Sequence, residues 1–190
     1  MAPAGSFESL AAALQGGADS VYFGIGKLNM RSRATANFAE EDLPEIVARC
    51  HETGAKAYLT LNIIVYDEEL ETVRNLCAAA KAAGVDAVIA SDLAVITHAH
   101  SIGLEVHMSV QANVCNMASV RFYAQYADVV VLARELTLGQ IRRIIDGIRD
   151  EGIRGPSGDL IRVEIFAHGA LCVAVSGKCH MSLAAYNSSA

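Results

Sequence analysis

The segment Gly17-Ala18-Asp19-Ser20-Val21-Tyr22-Phe23 shows the unit from which this chain is built: a Gly-Ala-Asp lead and then a short run of β-branched and aromatic residues. Related leads precede Val88-Ile89 and Val129-Val130-Val131, and an amphipathic segment follows each run. Such alternation is typical of parallel strands joined by right-handed helical crossovers. The sequence therefore predicts an α/β protein.

Six helices and seven strands are predicted from this pattern. The predicted helices are Phe7–Gln15, Glu40–Glu52, Glu68–Ala83, Leu93–Ser101, Met117–Gln125 and Thr137–Asp150. The predicted strands are Met1–Pro3, Ser20–Phe23, Lys56–Leu61, Ala87–Ile89, Glu105–Val110, Asp128–Leu132 and Ile161–Phe166, the last as a buried strand. Both a (β/α) barrel and an open doubly wound sheet fit this order. We favour a TIM-barrel-like parallel barrel that is incomplete, with about seven strands.

Composition and charge narrow the class of protein. The chain has 190 residues, of which 53% are hydrophobic, and we expect a single domain over residues 1–190. A net charge of −6 disfavours a general nucleic-acid coat. No apolar run is long enough to span a membrane, and the segment Met1–Ser6 lacks the features of a secretion signal. Five cysteines, an odd number, favour a reducing cytoplasm over a disulfide framework.

Polar residues follow nearly every predicted strand, where the chemistry of parallel α/β folds is found. The candidates are Asn29, Arg31, Arg33, Asn62, Asp92, Gln111, Asn116, Arg134, Glu135 and His168. Helix capping is the alternative for Asp92 and Asn116, and an ion pair with Arg134 is the alternative for Glu135. Arg31, Arg33 and Arg134 are the best anion-binding candidates, because a guanidinium group can hold a carboxylate or phosphate in two hydrogen bonds.

Two cysteines, Cys172 and Cys179, are separated by six intervening residues in a loop that contains Gly177 and follows the last predicted strand. Two thiols at this spacing can bind one soft metal centre, although two ligands complete no common site. The alternative is two small, partly buried residues. Cys50 and Cys77 lie at helical spacing with apolar residues, so we expect both in the core.

The whole segment resembles a family signature. Glu164-x-Phe166-x-x-Gly169-Ala170-Leu171-Cys172-x-x-x-x-Gly177-x-Cys179-x-Met181-Ser182 is similar, position for position, to that of the collagenase-like peptidase family U32. The resemblance continues at Ala2-Pro3-Ala4-Gly5-Ser6, Gly17–Tyr22, Asn29-x-Arg31, Thr60-Leu61-Asn62 and Leu132–Leu136. It implies a barrel shortened at both ends, without the family's C-terminal region.

The resemblance also implies a chemistry. Members of this family are associated with hydroxylation that uses prephenate instead of dioxygen as oxygen donor, and with a four-iron four-sulfur cluster held by four cysteines. Cys172 and Cys179 match two of those four ligands. The expected catalytic residues are His168, Glu164, Arg134 and Glu135. The expected substrate-binding residues are Asn29, Arg31, Arg33, Asn62, Gln111 and Asn116.

Several functions remain open within this resemblance. Family members act on a wobble uridine of tRNA, on a cytidine of rRNA or on a ubiquinone precursor, and 5-hydroxylation of the tRNA wobble uridine is the favoured expectation. The alternatives are a collagenase-like peptidase and a non-catalytic partner subunit of a ubiquinone-hydroxylating complex. The chain has no His-Glu-x-x-His zinc signature and no nucleophile elbow.

Overall fold

A computed structural model describes residues 1–29, 38–169, 172 and 174–179 of the chain. Its contacts divide the chain into two compact units, Met1–Glu105 and Val106–Ala190. Arg31 and Arg33, two of the predicted anion-binding residues, lie outside the described residues.

The first unit is a parallel sheet covered by helices. Its strands are β1 (Ala2–Ala4), β2 (Ser20–Gly24), β3 (Lys56–Leu61) and β4 (Ala87–Ala90), paired in this order. Its helices are α1 (Phe7–Gln15), α2 (Leu43–Glu52), α3 (Leu70–Ala83) and α4 (Leu93–Ser101), and single 3-10 turns at Glu40–Asp42 and Asp67–Glu69 lead into α2 and α3.

The helices of this unit begin and end where side chains or glycines satisfy the backbone. Ser6 accepts a hydrogen bond from the backbone of Ser9 and starts α1 with a capping box. Gly84 ends α3 in the left-handed conformation, with φ 83°. In the sheet, Phe23, Leu59 and Val88 stand in register on neighbouring strands, and all three are buried. The core of the unit therefore lies on the sheet.

The described part of the second unit contains three strands and two α-helices. The strands are β5 (Glu105–Met108), β6 (Val129–Val131) and β7 (Arg162–Glu164), again parallel and paired in chain order. The helices are α5 (Met117–Tyr123) and α6 (Leu138–Glu151). His107 stands in register with Val129, which in turn stands beside Arg162. The loops after β5, β6 and β7 consequently leave from one edge of this sheet.

These elements confirm the predicted fold class. Seven strands alternate with helices, and every strand pair above is parallel, which is the pattern of an incomplete (β/α) barrel. The prediction for β7 was wrong in part. The strand covers only Arg162–Glu164, and Ile165 and Phe166 are 45% and 54% exposed. In the described part of the chain, β7 is the last strand in the sheet order and pairs with β6 alone, so fewer neighbouring side chains cover the residues at its end.

Strand β5 also ends two residues earlier than predicted. The hydroxyl of Ser109 accepts a hydrogen bond from the backbone N–H of Gln111 at 3.3 Å, which starts a 3-10 turn over Val110–Ala112. None of the helices in the described part of the chain combines the length and the apolar composition that a membrane crossing requires.

Candidate functional site

The loop that carries Cys172 and Cys179 is fastened to the loop after β6 through Ser176. The Ser176 side chain is completely buried. Its hydroxyl donates to Glu135 Oε1 at 3.1 Å and accepts from the backbone N–H and the Nε of Arg134, each at 3.3 Å. A serine hydroxyl has one donor and two acceptor lone pairs, so these three hydrogen bonds use all of its capacity.

Two further hydrogen bonds strengthen this attachment. The backbone N–H of Ser176 donates to the same Glu135 carboxylate oxygen at 2.8 Å, and Arg134 Nη2 donates to the carbonyl of Ala174 at 3.1 Å. Arg134 and Glu135 are adjacent in sequence and exposed, and both act on the loop that follows β7. We call Arg134, Glu135 and Ser176 the loop clamp.

A close backbone approach places the loop against the turn after β5. Gly177 has φ 73°, and a Cβ at this position would stand 2.1 Å from the carbonyl oxygen of Gln111. Only glycine fits both the left-handed backbone and this contact. The Gln111 side chain remains a predicted substrate-binding group, while its backbone borders the cysteine loop.

The two loop thiols differ in exposure and interact with each other. Cys172 is exposed and Cys179 is half-buried. A hydrogen bond with the Arg134 side chain lowers the pKa of Cys172, a backbone hydrogen bond at Ala174 lowers it further, and Cys179 opposes this shift electrostatically. A thiol with a lowered pKa is a better metal ligand, since the thiolate is the species that binds.

The described residues supply part of the ligand set that the cluster implied by the family resemblance needs. Cys172 and Cys179 offer two thiols near enough to influence each other electrostatically, and the Arg134 guanidinium favours the Cys172 thiolate. A four-cysteine cluster needs two more ligands. Within residues 1–29, 38–169, 172 and 174–179, no three His, Cys, Asp or Glu side chains form a group that could hold a metal ion. The residues present therefore fit half of such a site.

Glu135 is held as a carboxylate by the clamp. Burial on its own would raise the pKa of Glu135, but hydrogen bonds from Ser176 and the neighbouring charge of Arg134 bring that pKa below its ordinary value. Arg134 and Glu135 share Ser176 as a hydrogen-bond partner, and the predicted alternative of a direct ion pair between them stays a prediction. The predicted catalytic role of Glu135 stays a prediction.

Glu164 lies on β7 and has a different environment. Burial raises the pKa of its carboxyl, and His107 opposes that shift through its charge. His107 is buried on β5, in the same unit. Sequence reasoning missed His107, although a histidine between Val106 and Met108 in an apolar strand was a visible signal. A carboxyl whose pKa is raised keeps its proton to higher pH than an ordinary glutamate.

The remaining predicted residues of the second unit have simpler positions. Asn116 caps α5, because its side-chain oxygen accepts from the backbone of Ser119 at 2.9 Å. The capping alternative is thus confirmed, and substrate binding by Asn116 stays a prediction. His168 is exposed in the segment after β7.

In the first unit, Asn29 and Asp92 are structural anchors. Asn29 is buried, donates to the carbonyl of Gly26 at 3.3 Å and fills the space beside Gly24, where a Cβ would stand 2.4 Å from its amide. Asp92 caps α4 through Ala94 at 2.8 Å and also accepts from the backbone of Val65 at 3.1 Å. Asn62 is half-buried directly after β3. Substrate binding by Asn29 and Asn62 stays a prediction.

Parallel strands in chain order, with polar loops and a two-thiol loop at their carboxyl ends, define a protein of the (β/α) barrel class with a candidate soft-metal site. The sequence profile of Peptidase family U32 matches residues 5–190. The chain belongs to this family, which confirms the resemblance seen in its motifs.

Two related proteins carry names of different activities. "Collagenase" from Porphyromonas gingivalis is 54% identical over 190 residues, which cover 100% of this chain and 46% of that protein. "tRNA hydroxylation protein P" from Escherichia coli K12 is 36% identical over 186 residues, which cover 96% of this chain and 38% of that protein. The chain therefore spans less than half the length of each relative.

A solved structure shares the fold. The U32 peptidase Mk0906 superimposes with a TM-score of 0.58 at 14% sequence identity, over 90% of this chain and 93% of that chain. At this identity the likeness concerns the fold alone.

Proposed function

We propose that the complete protein containing this chain is an oxygen-independent hydroxylase of RNA. The favoured reaction is 5-hydroxylation of the tRNA wobble uridine, with prephenate as oxygen donor and a four-iron four-sulfur cluster as cofactor. The observation that carries the proposal is a loop with two thiols that hydrogen bonds from Arg134 and Glu135 fasten in place, with Arg134 also lowering the pKa of Cys172. The relative named tRNA hydroxylation protein P supports the choice of substrate.

Cys172 and Cys179 would each bind one iron atom of the cluster, and two further thiolates would have to come from elsewhere in the complete protein. When bound, such a cluster supplies one-electron redox chemistry and Lewis acidity. Arg134 favours the ionised form of Cys172 and so prepares it for the metal. All five cysteines are free thiols, and this chemistry needs a reducing compartment, so we also propose a cytoplasmic location.

The other predicted residues would handle the substrates. Arg31 and Arg33 are proposed to bind the two carboxylates of prephenate, because a guanidinium matches a carboxylate in two hydrogen bonds. Glu164 is proposed to hold a proton, since burial raises the pKa of its carboxyl. The net charge of −6 suits this chain poorly to phosphate contacts, so the proposed RNA contacts belong to other regions of the complete protein.

Iron analysis of the complete protein tests this proposal. After anaerobic reconstitution we expect about four iron and four sulfide per chain, and hydroxylated uridine in tRNA only when prephenate is supplied. Cys172→Ser and Cys179→Ser should each abolish both. Cys115→Ser is the matched control, because Cys115 is an exposed cysteine outside the loop. Wild-type protein that binds no iron, or modification that persists in Cys172→Ser, would refute the hydroxylase.

A peptidase is the second candidate, favoured by the 54% identical relative named Collagenase. In this case rigorously purified complete protein should hydrolyse gelatin, and a single change, Glu164→Gln or His168→Ala, should remove that hydrolysis. Hydrolysis that survives both changes would point to a contaminant. The non-catalytic subunit remains as the third expectation, and complete protein that binds no prephenate would favour it.

A further inference from the structure

The loop clamp stands out when it is compared with an ordinary surface ion pair. Arg121 and Glu151 also join an arginine to a glutamate, with two hydrogen bonds of 2.6 and 2.7 Å, and both residues are exposed on helices. Such an exposed pair contributes little stability, because solvent screens the charges. In the clamp the charged groups are instead directed at one completely buried serine. This arrangement orders a loop in addition to pairing charges.

The position of Ser176 explains what the clamp orders. It lies four residues after Cys172 and three before Cys179, so the segment is held near the middle between its two thiols. Five hydrogen bonds connect Arg134 and Glu135 to residues 174 and 176, across 40 to 42 residues of sequence. The close approach of Gly177 to the Gln111 backbone fixes the same segment from the neighbouring loop.

We propose that Arg134 and Glu135 are positioning residues for the loop that carries Cys172 and Cys179, which we call the thiol loop. They hold this loop in its metal-binding conformation before any metal binds. Arg134 is then committed to the loop, and the oxygen donor's carboxylates are bound by other groups. This inference rests on the proposed function for the identity of the metal centre. Its physical basis is pre-organisation: ligands held in place by surrounding hydrogen bonds lose less conformational entropy when a metal binds.

The variants follow from the hydrogen-bond geometry. Ser176→Ala removes the shared hydroxyl, and Glu135→Gln removes the charge on the acceptor while preserving its size. Arg134→Gln removes the guanidinium, and Arg134→Lys keeps a positive charge but lacks the planar arrangement that serves Ser176 and Ala174 together. Arg121→Gln and Glu151→Gln are the matched controls, because they make the same chemical changes in the surface pair.

Iron retention in the complete protein is the first measurement. Apo protein is reconstituted anaerobically with ferrous iron and sulfide, and the visible absorbance of the cluster is followed after a chelator is added. We expect Ser176→Ala, Glu135→Gln and Arg134→Gln to lose iron about 10–100-fold faster than wild type, the range found for supporting residues of metal sites. The rate of iron loss from Arg134→Lys should lie between the rates of wild type and Arg134→Gln. Both control variants should lose iron at the wild-type rate.

Two more readouts separate positioning from other roles. The KM for prephenate should stay at the wild-type value in protein that retains its cluster, because the donor is bound elsewhere. Hydrogen exchange at the Ser176 amide of the apo protein should be slow in wild type and about tenfold or more faster in Glu135→Gln, since that amide donates to Glu135.

The outcomes are distinguishable. Wild-type protein that takes up no iron refutes the proposed function, and the exchange measurement then decides whether the clamp orders the loop. Wild-type protein that takes up iron, with clamp variants that retain it equally well, refutes the positioning role alone. A rise in the KM for prephenate without faster iron loss would show that Arg134 binds the donor and would also overturn the inference.

Discussion

Cysteines occupy two contrasting regions of this chain. Cys50 and Cys77 are completely buried on α2 and α3, and burial raises the pKa of each to about 11, with a contribution from Asp86 for Cys50. Cys172 is exposed in the thiol loop, and its hydrogen bond with Arg134 lowers its pKa. The same side chain is therefore an inert packing group in one region and a candidate ligand in the other. Environment decides the chemistry of a thiol, and residue type alone does not.

Alkylation should show the largest effect of this contrast. With iodoacetamide at about pH 8, a thiol of pKa about 11 is ionised to about one part in a thousand, and burial also blocks access. We expect Cys172 of the metal-free protein to react at least about 100-fold faster than Cys50 or Cys77. Peptide mass spectrometry gives the rates, and exposed Cys115 serves as the accessible reference. Equal alkylation rates at Cys77 and Cys172 would show that the two thiols do not differ in ionisation and access.

Serine substitutions should separate packing from ligation. Cys77→Ser places a hydroxyl in an apolar site and should lower the free energy of unfolding by about 1–3 kcal/mol, without changing the iron content of the complete protein. Cys172→Ser, at an exposed position, should change the free energy of unfolding by less than about 0.5 kcal/mol and remove the iron. Urea titration and iron analysis measure the two effects. If both variants lose iron, or if both lose the same amount of stability, the two cysteines do not differ in role.

Two glycines with similar backbones sharpen the contrast around the loop. Gly177 and Gly17 have φ of 73° and 77°, but a Cβ would meet the Gln111 carbonyl at Gly177 and nothing within 4 Å at Gly17. Both alanine variants carry the left-handed penalty of about 1 kcal/mol. Gly177→Ala should additionally displace the loop and speed hydrogen exchange at Ser176, whereas Gly17→Ala should not. Unchanged exchange in Gly177→Ala would show that this approach does not hold the loop.

The smallest effect concerns pH and Glu164. Because burial raises the pKa of this carboxyl in the folded state, its stabilising contribution is present below the unfolded pKa and is lost as pH rises through the folded pKa. Glu164→Gln should therefore gain stability relative to wild type, by less than about 1 kcal/mol, between about pH 4 and pH 7.

Glu151 provides the opposite case for comparison. The hydrogen bond and charge of Arg121 lower the pKa of Glu151, so its contribution is lost as pH falls. Glu151→Gln should then lose stability relative to wild type as pH rises from about 3 to about 5, and the difference should stay constant at higher pH. Thermal unfolding of both variants from about pH 3 to pH 7 measures the two slopes. A Glu164→Gln profile parallel to wild type would show that this carboxyl is not perturbed.

Local signals predicted much of the fold. The bounds of α1, β3 and α4 agree with the predictions. The two helices begin where predicted because Ser6 caps α1 and Asp92 caps α4, each by accepting a hydrogen bond from a backbone N–H two or three residues ahead. The predicted extension of β7 over Ile165 and Phe166 was wrong, because these apolar residues read as part of a buried strand until the position of β7 in the sheet is known. Cys50 and Cys77 were correctly placed in the core from helical spacing.

The sequence by itself determined the family, the alternation of strands and helices, and the two loop cysteines, because each of these is written in adjacent or regularly spaced residues. Only the tertiary structure decided that Arg134 and Glu135 hydrogen-bond to Ser176, and that the charge of His107 acts on Glu164. Those interactions join residues some 40 to 60 positions apart. Strand order and register bring them together, and neither can be read from a local pattern.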